Sequence, residues 1–155
     1  MNAASLERHA MTATPLIMTP DDRRAALSVV GTQVSVLSAE RADLKITLQN
    51  GEEGAGPPPH DHDWDEAFYV IRGQVNFAFG DTTTLCRAGT LVHVPAGVVH
   101  AFSYGPGGGE MLEVTGPRSQ AVTMFTALDQ LASAGESAPE QLIAVTAAHG
   151  VTIRV

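Results

Sequence analysis

The chain is short of cysteine, of positive charge and of long apolar runs, and each shortage narrows what it can be. Cys86 is the only cysteine in 155 residues, so no disulfide can close within the chain and the reducing cytoplasm is the expected compartment. Its setting, "TTLCRAG", reads as a strand and predicts a buried structural thiol rather than a reactive one. Nine Lys and Arg stand against seventeen Asp and Glu, a formal charge of -8. Phosphate-backbone binding rests on cationic neutralisation, so nucleic acid is not an expected partner. No run approaches the ~18–20 apolar residues of a membrane span, and no basic amphipathic segment points to a membrane surface. The opening "MNAASLERHAMTATPLIM" has no continuous apolar stretch behind a basic start. Residues 1–14 are expected to be a flexible tail outside the fold.

What remains fits one domain, residues 15–155, a length able to bury a real core. "TPDDRRAAL" predicts a short helix at best, with Thr19 as N-cap and Pro20 at the first helical position. From Val29 to Val114 the texture is of short β-branched and aromatic runs, "TQVSVLS", "DLKITLQ", "EAFYVIRG", "QVNFAFG", "GTLVHVPAG", "HAFSYG" and "EMLEVTG", separated by Gly, Asn, Asp and Pro. Such spacing predicts an all-β sandwich or barrel. In Asp43–Gln49 the apolar residues Leu44, Ile46 and Leu48 fall on every second position, which predicts that their face is buried and the other solvated. "GDTT" is an expected hairpin turn and "YGPGGGE" an expected loop; the latter lacks the Lys-Ser/Thr of a phosphate cradle.

Towards the C-terminus the pattern turns helical. Ser137-x-x-Glu140 reads as a capping box opening a helix over about 138–149, with Leu142, Ile143, Thr146 and Ala147 on one face and Gly150 ending it. "VTMFTALDQLA", with Val122, Phe125 and Leu128 three apart, predicts a second short helix.

The stretch with most chemistry is "GPPPHDHDWDE". On an extended strand His60 and His62 emerge on the same side, close enough to share one ion, and a tight turn brings Glu66 to the same centre. Asp61, Asp63 and Asp65 have the other parity and are expected to face solvent as bystanders. Two imidazoles and a carboxylate suit non-haem Fe(II) and its divalent relatives, and the lack of nearby thiolate argues against a closed structural zinc site. A second stretch, "GTLVHVPAGVVH", ends a strand with a Pro-x-Gly turn that sets His100 at the start of the next, the natural third imidazole. His93, out of step with Val92 and Val94, reads as a structural residue or a support beside the ligands rather than as a ligand. His149 sits in a last helical turn and His9 in the tail; neither is expected to take part.

These residues resemble the cupins. Gly54, five residues, His60-x-His62, three residues, Glu66, six residues and Gly73 match the first cupin motif at each fixed position. Gly89, five residues, Pro95-x-Gly97, two residues and His100 match the second as far as its histidine. Tyr104 stands where the family usually has Asn, and Thr90 where an acid often follows the Gly. The motifs span 54–104, and the short gap between them is similar to small single-domain cupins rather than bicupins. "GPPPHDHDWDEAFYVIRGQVNFAFGD", "VPAGVVHAFSYG" and the terminal "PEQLIAVTAAHGV" look like the quercetin dioxygenase-like branch.

The resemblance implies a double-stranded β-helix, a jelly-roll-like barrel with a C-terminal helical segment. It implies one divalent transition metal ion (Fe, Mn, Ni, Co, Cu or Zn) on His60, His62, Glu66 and His100, with Glu66 also taking a proton. The implied function is a metal-dependent, quercetinase-like dioxygenase acting on a small aromatic or enolic substrate. The alternatives are a metal-dependent isomerase or decarboxylase of a polar acid or sugar, and a non-catalytic small-molecule-binding cupin. Phe68 and Val70 share parity with Glu66, and Phe102 and Tyr104 with His100, so these four are the expected pocket wall. Unpaired barrel edges, together with the family's habit, imply a homodimer.

Overall fold

A computed structural model describes residues 14–154; nearly all of the expected tail, His9 included, lies outside the described residues. The all-β expectation holds. Among the described residues nine strands, β1 (Leu27–Val29), β2 (Thr32–Val36), β3 (Lys45–Gly51), β4 (His60–His62), β5 (Glu66–Phe79), β6 (Thr82–Arg87), β7 (Leu91–Val94), β8 (Ala101–Thr115) and β9 (Val151–Ile153), are accompanied by two helices, α1 (Ala121–Ser133) and α2 (Pro139–Ala148), that precede β9. "TPDDRRAAL" yields only a 3-10 turn, Pro20–Asp22.

The main sheet runs β1-β2-β3-β8-β5-β6, with β7 on the free side of the first half of β5. β5 and β8 carry the barrel between them, and each merges two of the expected strands. Within β5 the switch from the β7 neighbour to the β6 neighbour falls at Gly73, where the register against β8 shifts. Gly73 has φ +72°, and a Cβ there would lie 2.1 Å from the Gly108 carbonyl oxygen. Only glycine allows both the bend and that approach.

"YGPGGGE" is not the loop expected of it but the middle of β8. Val75 faces Tyr104 and Gly73 faces Gly109, so residues 105–108 bulge across Gln74 while pairing resumes on both sides. The run is glycine-rich because neighbouring backbone leaves no room: a Cβ on Gly108 would stand 2.6 Å from the Gly51 oxygen, and one on Gly109 2.9 Å from the Arg72 oxygen.

β3 corrects a second expectation. Its buried residues are the polar Thr47 and Gln49, whereas Leu44 is exposed and Ile46 and Leu48 are only half-buried. The alternation is real, but its polar face points into the barrel.

The core is in two parts. One fills the barrel with Phe68, Val70, Val75, Phe77, Cys86, Val94, Phe102, Tyr104 and Met111; Cys86 is buried there, as expected of a structural thiol. The other joins the barrel mouth to the helices through Val34, Trp64, Ala121, Met124, Phe125, Leu128 and Val151. Both helices exist, but the capping box does not: Ala138 is the N-cap of α2 and no side chain caps it. On α1 the buried stripe is Ala121, Met124, Phe125 and Leu128, and Val122 lies off it. Asp129 of α1 accepts from the Ser28 backbone N–H at 2.8 Å, covering part of the edge strand β1.

Candidate metal centre

Backbone pairing assembles the cluster before any side chain is considered. His60 and His100 exchange both N–H···O bonds, each 2.9 Å, across an antiparallel bridge, and Gly97 N–H donates to the His62 oxygen at 2.8 Å. The Pro95-x-Gly97 turn, with Gly97 at φ +83°, thus stitches the second motif directly onto the first. On the other side of β4 lies β9, with His60 opposite Ile153 and His62 opposite Val151. Parity then works as expected: His60 and His62 are buried, and Glu66 opens β5 on the same inner side.

Each imidazole is held by its other nitrogen. Nδ1 of His60 donates to the Pro58 oxygen (2.8 Å), of His62 to the Trp64 oxygen (3.0 Å) and of His100 to the Val98 oxygen (2.8 Å). Those bonds fix the tautomer and leave each Nε2 with a lone pair. The donor atoms of the three rings all lie within 4.8 Å of one another. Glu66 Oε2 stands 2.9 Å from His62 Nε2 and 3.0 Å from His100 Nε2. Two donors about 2.1 Å from one ion and at right angles to it are separated by about 3 Å, so these spacings fit adjacent positions around a single ion. Lone pairs of two neutral rings facing one carboxylate oxygen repel unless protons or a cation lie between them. The donor set therefore fits a divalent metal.

Around the cluster the charges are graded. Burial works against ionising Glu66, but the His100 and His62 rings outweigh it and hold its carboxyl well below the usual range. Burial, and then the neighbouring His100, push His60 down to about 4, which keeps it a neutral donor. Burial also opposes charge on His100, yet Glu66 beside it raises its pKa.

Glu113, which no motif singled out, is the larger surprise. It is fully buried on β8, and burial together with the nearby Glu66 charge raises its pKa well above the carboxylate range. Both influences favour its neutral form, and it accepts from Gln49 Nε2 (2.9 Å) and Thr47 Oγ1 (3.2 Å). The only signal for it in the sequence is a Glu between Leu112 and Val114 on the inward parity of a strand.

A cavity of about 430 Å³ opens onto the cluster, with His60, His62, Glu66, Gln49 and Glu113 along one side and Phe102 and Trp64 beside them. Trp64 stacks on the His62 ring at 4.3 Å between centroids and 7° between planes. Of the four expected wall residues only Phe102 lines this cavity. Phe68, Val70 and Tyr104 pack in the barrel core instead. Tyr104, in the place usual for Asn, has its ring against Gly51 and Gly109, and its hydroxyl, buried without a partner among the described residues, has a raised pKa because of that burial.

The acids of "HDHDWDE" outside the cluster are more than bystanders. Asp61 accepts from Arg154 Nε at 2.5 Å and Asp65 from the Ala96 N–H at 2.9 Å, so two of them brace the strands that carry the ligands. His93 is not beside the ligands. It lies on the outer face, its side chain 57% exposed and 3.7 Å from Asp65.

Residues 46–115 match the Cupin_2 family, described as a cupin domain. The fold is that of a cupin. Two solved structures show the same architecture: KdgF from Halomonas sp. (17% identity, TM-score 0.63, covering 70% of this chain and 99% of that one) and an RmlC-like cupin from Shewanella frigidimarina (17%, 0.61, 70% and 96%). The polyketide cyclase RemF from Streptomyces resistomycificus is 25% identical with a TM-score of 0.58, over 67% of this chain and 80% of that one. An uncharacterised protein of Streptomyces coelicolor is 31% identical over 62 residues; the match takes in 40% of this chain and 59% of the relative's length. Among the described residues no helix is long and apolar enough to cross a membrane.

Proposed function

We propose that His60, His62, Glu66 and His100 hold one divalent transition metal ion, and that this cupin is a dioxygenase-like oxidoreductase acting on a small aromatic or enolic substrate. The observation that carries the reading is the set of three Nδ1–H···O=C clamps, which free three clustered imidazole Nε2 lone pairs, two of them, on His62 and His100, about 3 Å from a carboxylate oxygen of Glu66. A bound ion would supply Lewis acidity and, if redox-active, electron transfer with dioxygen. The chain supplies the rest. The barrel core excludes water behind the cluster, Glu66 remains ionised and takes the proton of an enol or phenol, and the neutral Glu113 adds no second negative charge.

The test is metal analysis of the purified protein followed by oxygen-uptake assays with catechols, flavonols and diketones. Stoichiometric metal, lost in the His60→Ala/His100→Ala double variant, and O₂ consumption with at least one substrate class are expected. No uptake with any reconstituted metal refutes the dioxygenase reading, and metal content unchanged in the double variant refutes the centre itself.

The identity to RemF, named as a polyketide cyclase, favours a second reading in which the same cluster polarises an enolic substrate for a non-redox reaction. For assembly we propose a cytoplasmic homodimer. Leu48, Leu112, Tyr69 and Leu91 face one another in a row across four strands, and Tyr69 and Leu91 are exposed, at 47% and 65%. That row lies on the outer sheet face rather than at a strand edge.

A further inference from the structure

The cavity beside the cluster is not built by the cupin motifs alone. Residues after 115, beyond the region shared with the family, supply most of its apolar wall: Met124, Phe125 and Leu128 of α1, Leu142 of α2 and Val151 of β9. Among the described residues no Lys or Arg lines it, and its ionisable groups are all gathered on the side of the cluster, His60, His62, Glu66 and Glu113. A ligand entering with its own carboxylate or phosphate would therefore lose its hydration, meet two carboxyl groups and find no cationic side chain. A 150 Å³ apolar cavity accepts one benzene, so about 430 Å³ gives room for roughly three rings or the equivalent alkyl mass.

One further detail points to an apolar ligand, and a second to a single hydrogen-bond acceptor on it. The β1–β2 turn places Val30 at φ +44°, a conformation that suits Asn or Gly and strains a β-branched residue. Yet Val30 lines the mouth of this cavity, 55% exposed, an apolar side chain kept where backbone preference alone would choose a polar one. Trp64 also lines it, and its buried indole N–H has no acceptor among the described residues.

We propose that this chamber is the substrate site and that the segment after residue 115 makes it selective for an uncharged, apolar-bodied molecule of roughly two to three rings, with one ionisable oxygen presented to the cluster. This rests on the reading of His60, His62, Glu66 and His100 as the reacting end. It also assigns specificity to α1, α2 and β9 rather than to the barrel strands. A polar sugar or a multiply charged acid does not match the wall.

The probes are 2-naphthol and 2-naphthalenesulfonate, the same ring system without and with a permanent charge that coordinates metals poorly. Calorimetric titration of the purified protein is expected to give a Kd for 2-naphthol at least tenfold below that for the sulfonate. Met124→Trp and, separately, Leu142→Trp fill the chamber and are expected to weaken 2-naphthol binding at least tenfold, with metal content and melting temperature near those of the parent. Equal or tighter binding of the sulfonate overturns the proposal, as does 2-naphthol binding untouched in both variants when both are folded. Repeating the titration after chelation separates the two claims: binding of 2-naphthol by a protein that never held metal supports the chamber and sinks only the metal reading.

Discussion

Replacing Glu113 with Gln should make the metal-free protein more stable at neutral pH, and increasingly so as pH rises. In the folded chain burial and the Glu66 carboxylate raise the Glu113 pKa well above its ordinary value near 4.5; in the unfolded chain it titrates near that ordinary value. Between the two pKa values the folded state holds a proton that the unfolded state has released. Stability contributed by this group is therefore complete below the ordinary pKa and is lost as pH climbs towards the folded one, at about 1.4 kcal/mol per pH unit. Gln keeps the shape, accepts from Gln49 through its one amide oxygen and donates its amide N–H to the Thr47 hydroxyl oxygen, but does not titrate. Glu66 does not confuse the measurement above about pH 5.5, because its lowered pKa leaves it ionised in both states. His60 and His100 also titrate in this range, in opposite directions, but are common to both proteins and cancel to first order in the difference. Urea unfolding of chelated parent and Glu113→Gln at pH 6, 7 and 8 should give a stability gap that widens by roughly 1.4 kcal/mol at each step until the folded pKa is reached. Parallel stability curves would show that Glu113 is ionised in the fold, and the account of a neutral acid beside the cluster would then be wrong.

Gly73→Ala should cost several times more than Gly80→Ala by chemical denaturation. Both glycines have positive φ, a strain of about 1–2 kcal/mol for alanine, but a Cβ at Gly80 meets nothing within 4 Å whereas one at Gly73 meets backbone oxygen at 2.1 Å. Val30→Asn should raise stability by about 1 kcal/mol, visible as a higher melting temperature; a loss would mean that the turn is not strained by its valine. Arg154→Ala removes the ion pair to Asp61, whose partners are 54% and 16% exposed. Its cost in stability should be small, as for other exposed pairs, while competition titration should show weaker metal binding because β4 loses its brace; unchanged affinity would limit β9 to a structural part. Leu91→Glu should shift sedimentation of the proposed dimer to monomer, and a dimer that persists would move the interface elsewhere.

The ligand cluster was legible because its geometry is nearly one-dimensional. Parity along a three-residue strand puts His60 and His62 together, and the fixed spacing of Pro95, Gly97 and His100 encodes a turn whose only freedom is glycine's. What escaped were features set by contacts far apart in the chain. Alternation in Asp43–Gln49 announces a strand with two unlike faces, but the choice of inner face depends on the neighbouring strand, far off in the chain. Glu113 on β8 is paired with Thr47 and accepts from both Thr47 and Gln49, so polar residues are stabilised inside and leucines are left at the surface. "YGPGGGE" has the composition of a loop, yet its glycines answer to the backbones of β3 and β5 pressing on it from both sides. β9 is three residues long and unremarkable alone; only β4, some ninety residues earlier by the pairing of Asp61 with Thr152, makes it a strand.

That last pairing ties the proposed specificity to the proposed chemistry. The segment after residue 115 roofs the chamber with α1 and α2 and then returns as β9 to hold the backbone of His60 and His62. Trp64 touches both parts, lining the chamber on one side and stacking on the His62 ring. A ligand that fits the roof thus presses on the same framework that orients two imidazoles. Interiors this closely packed transmit small displacements instead of absorbing them. Metal affinity and ligand affinity should consequently be coupled, each raising the other by the same factor. Measuring the Kd of 2-naphthol with and without saturating metal, and of the metal with and without 2-naphthol, tests this directly. Equal factors above one are expected in both directions, and a factor of one would mean that roof and ligand strand act independently despite their shared strand.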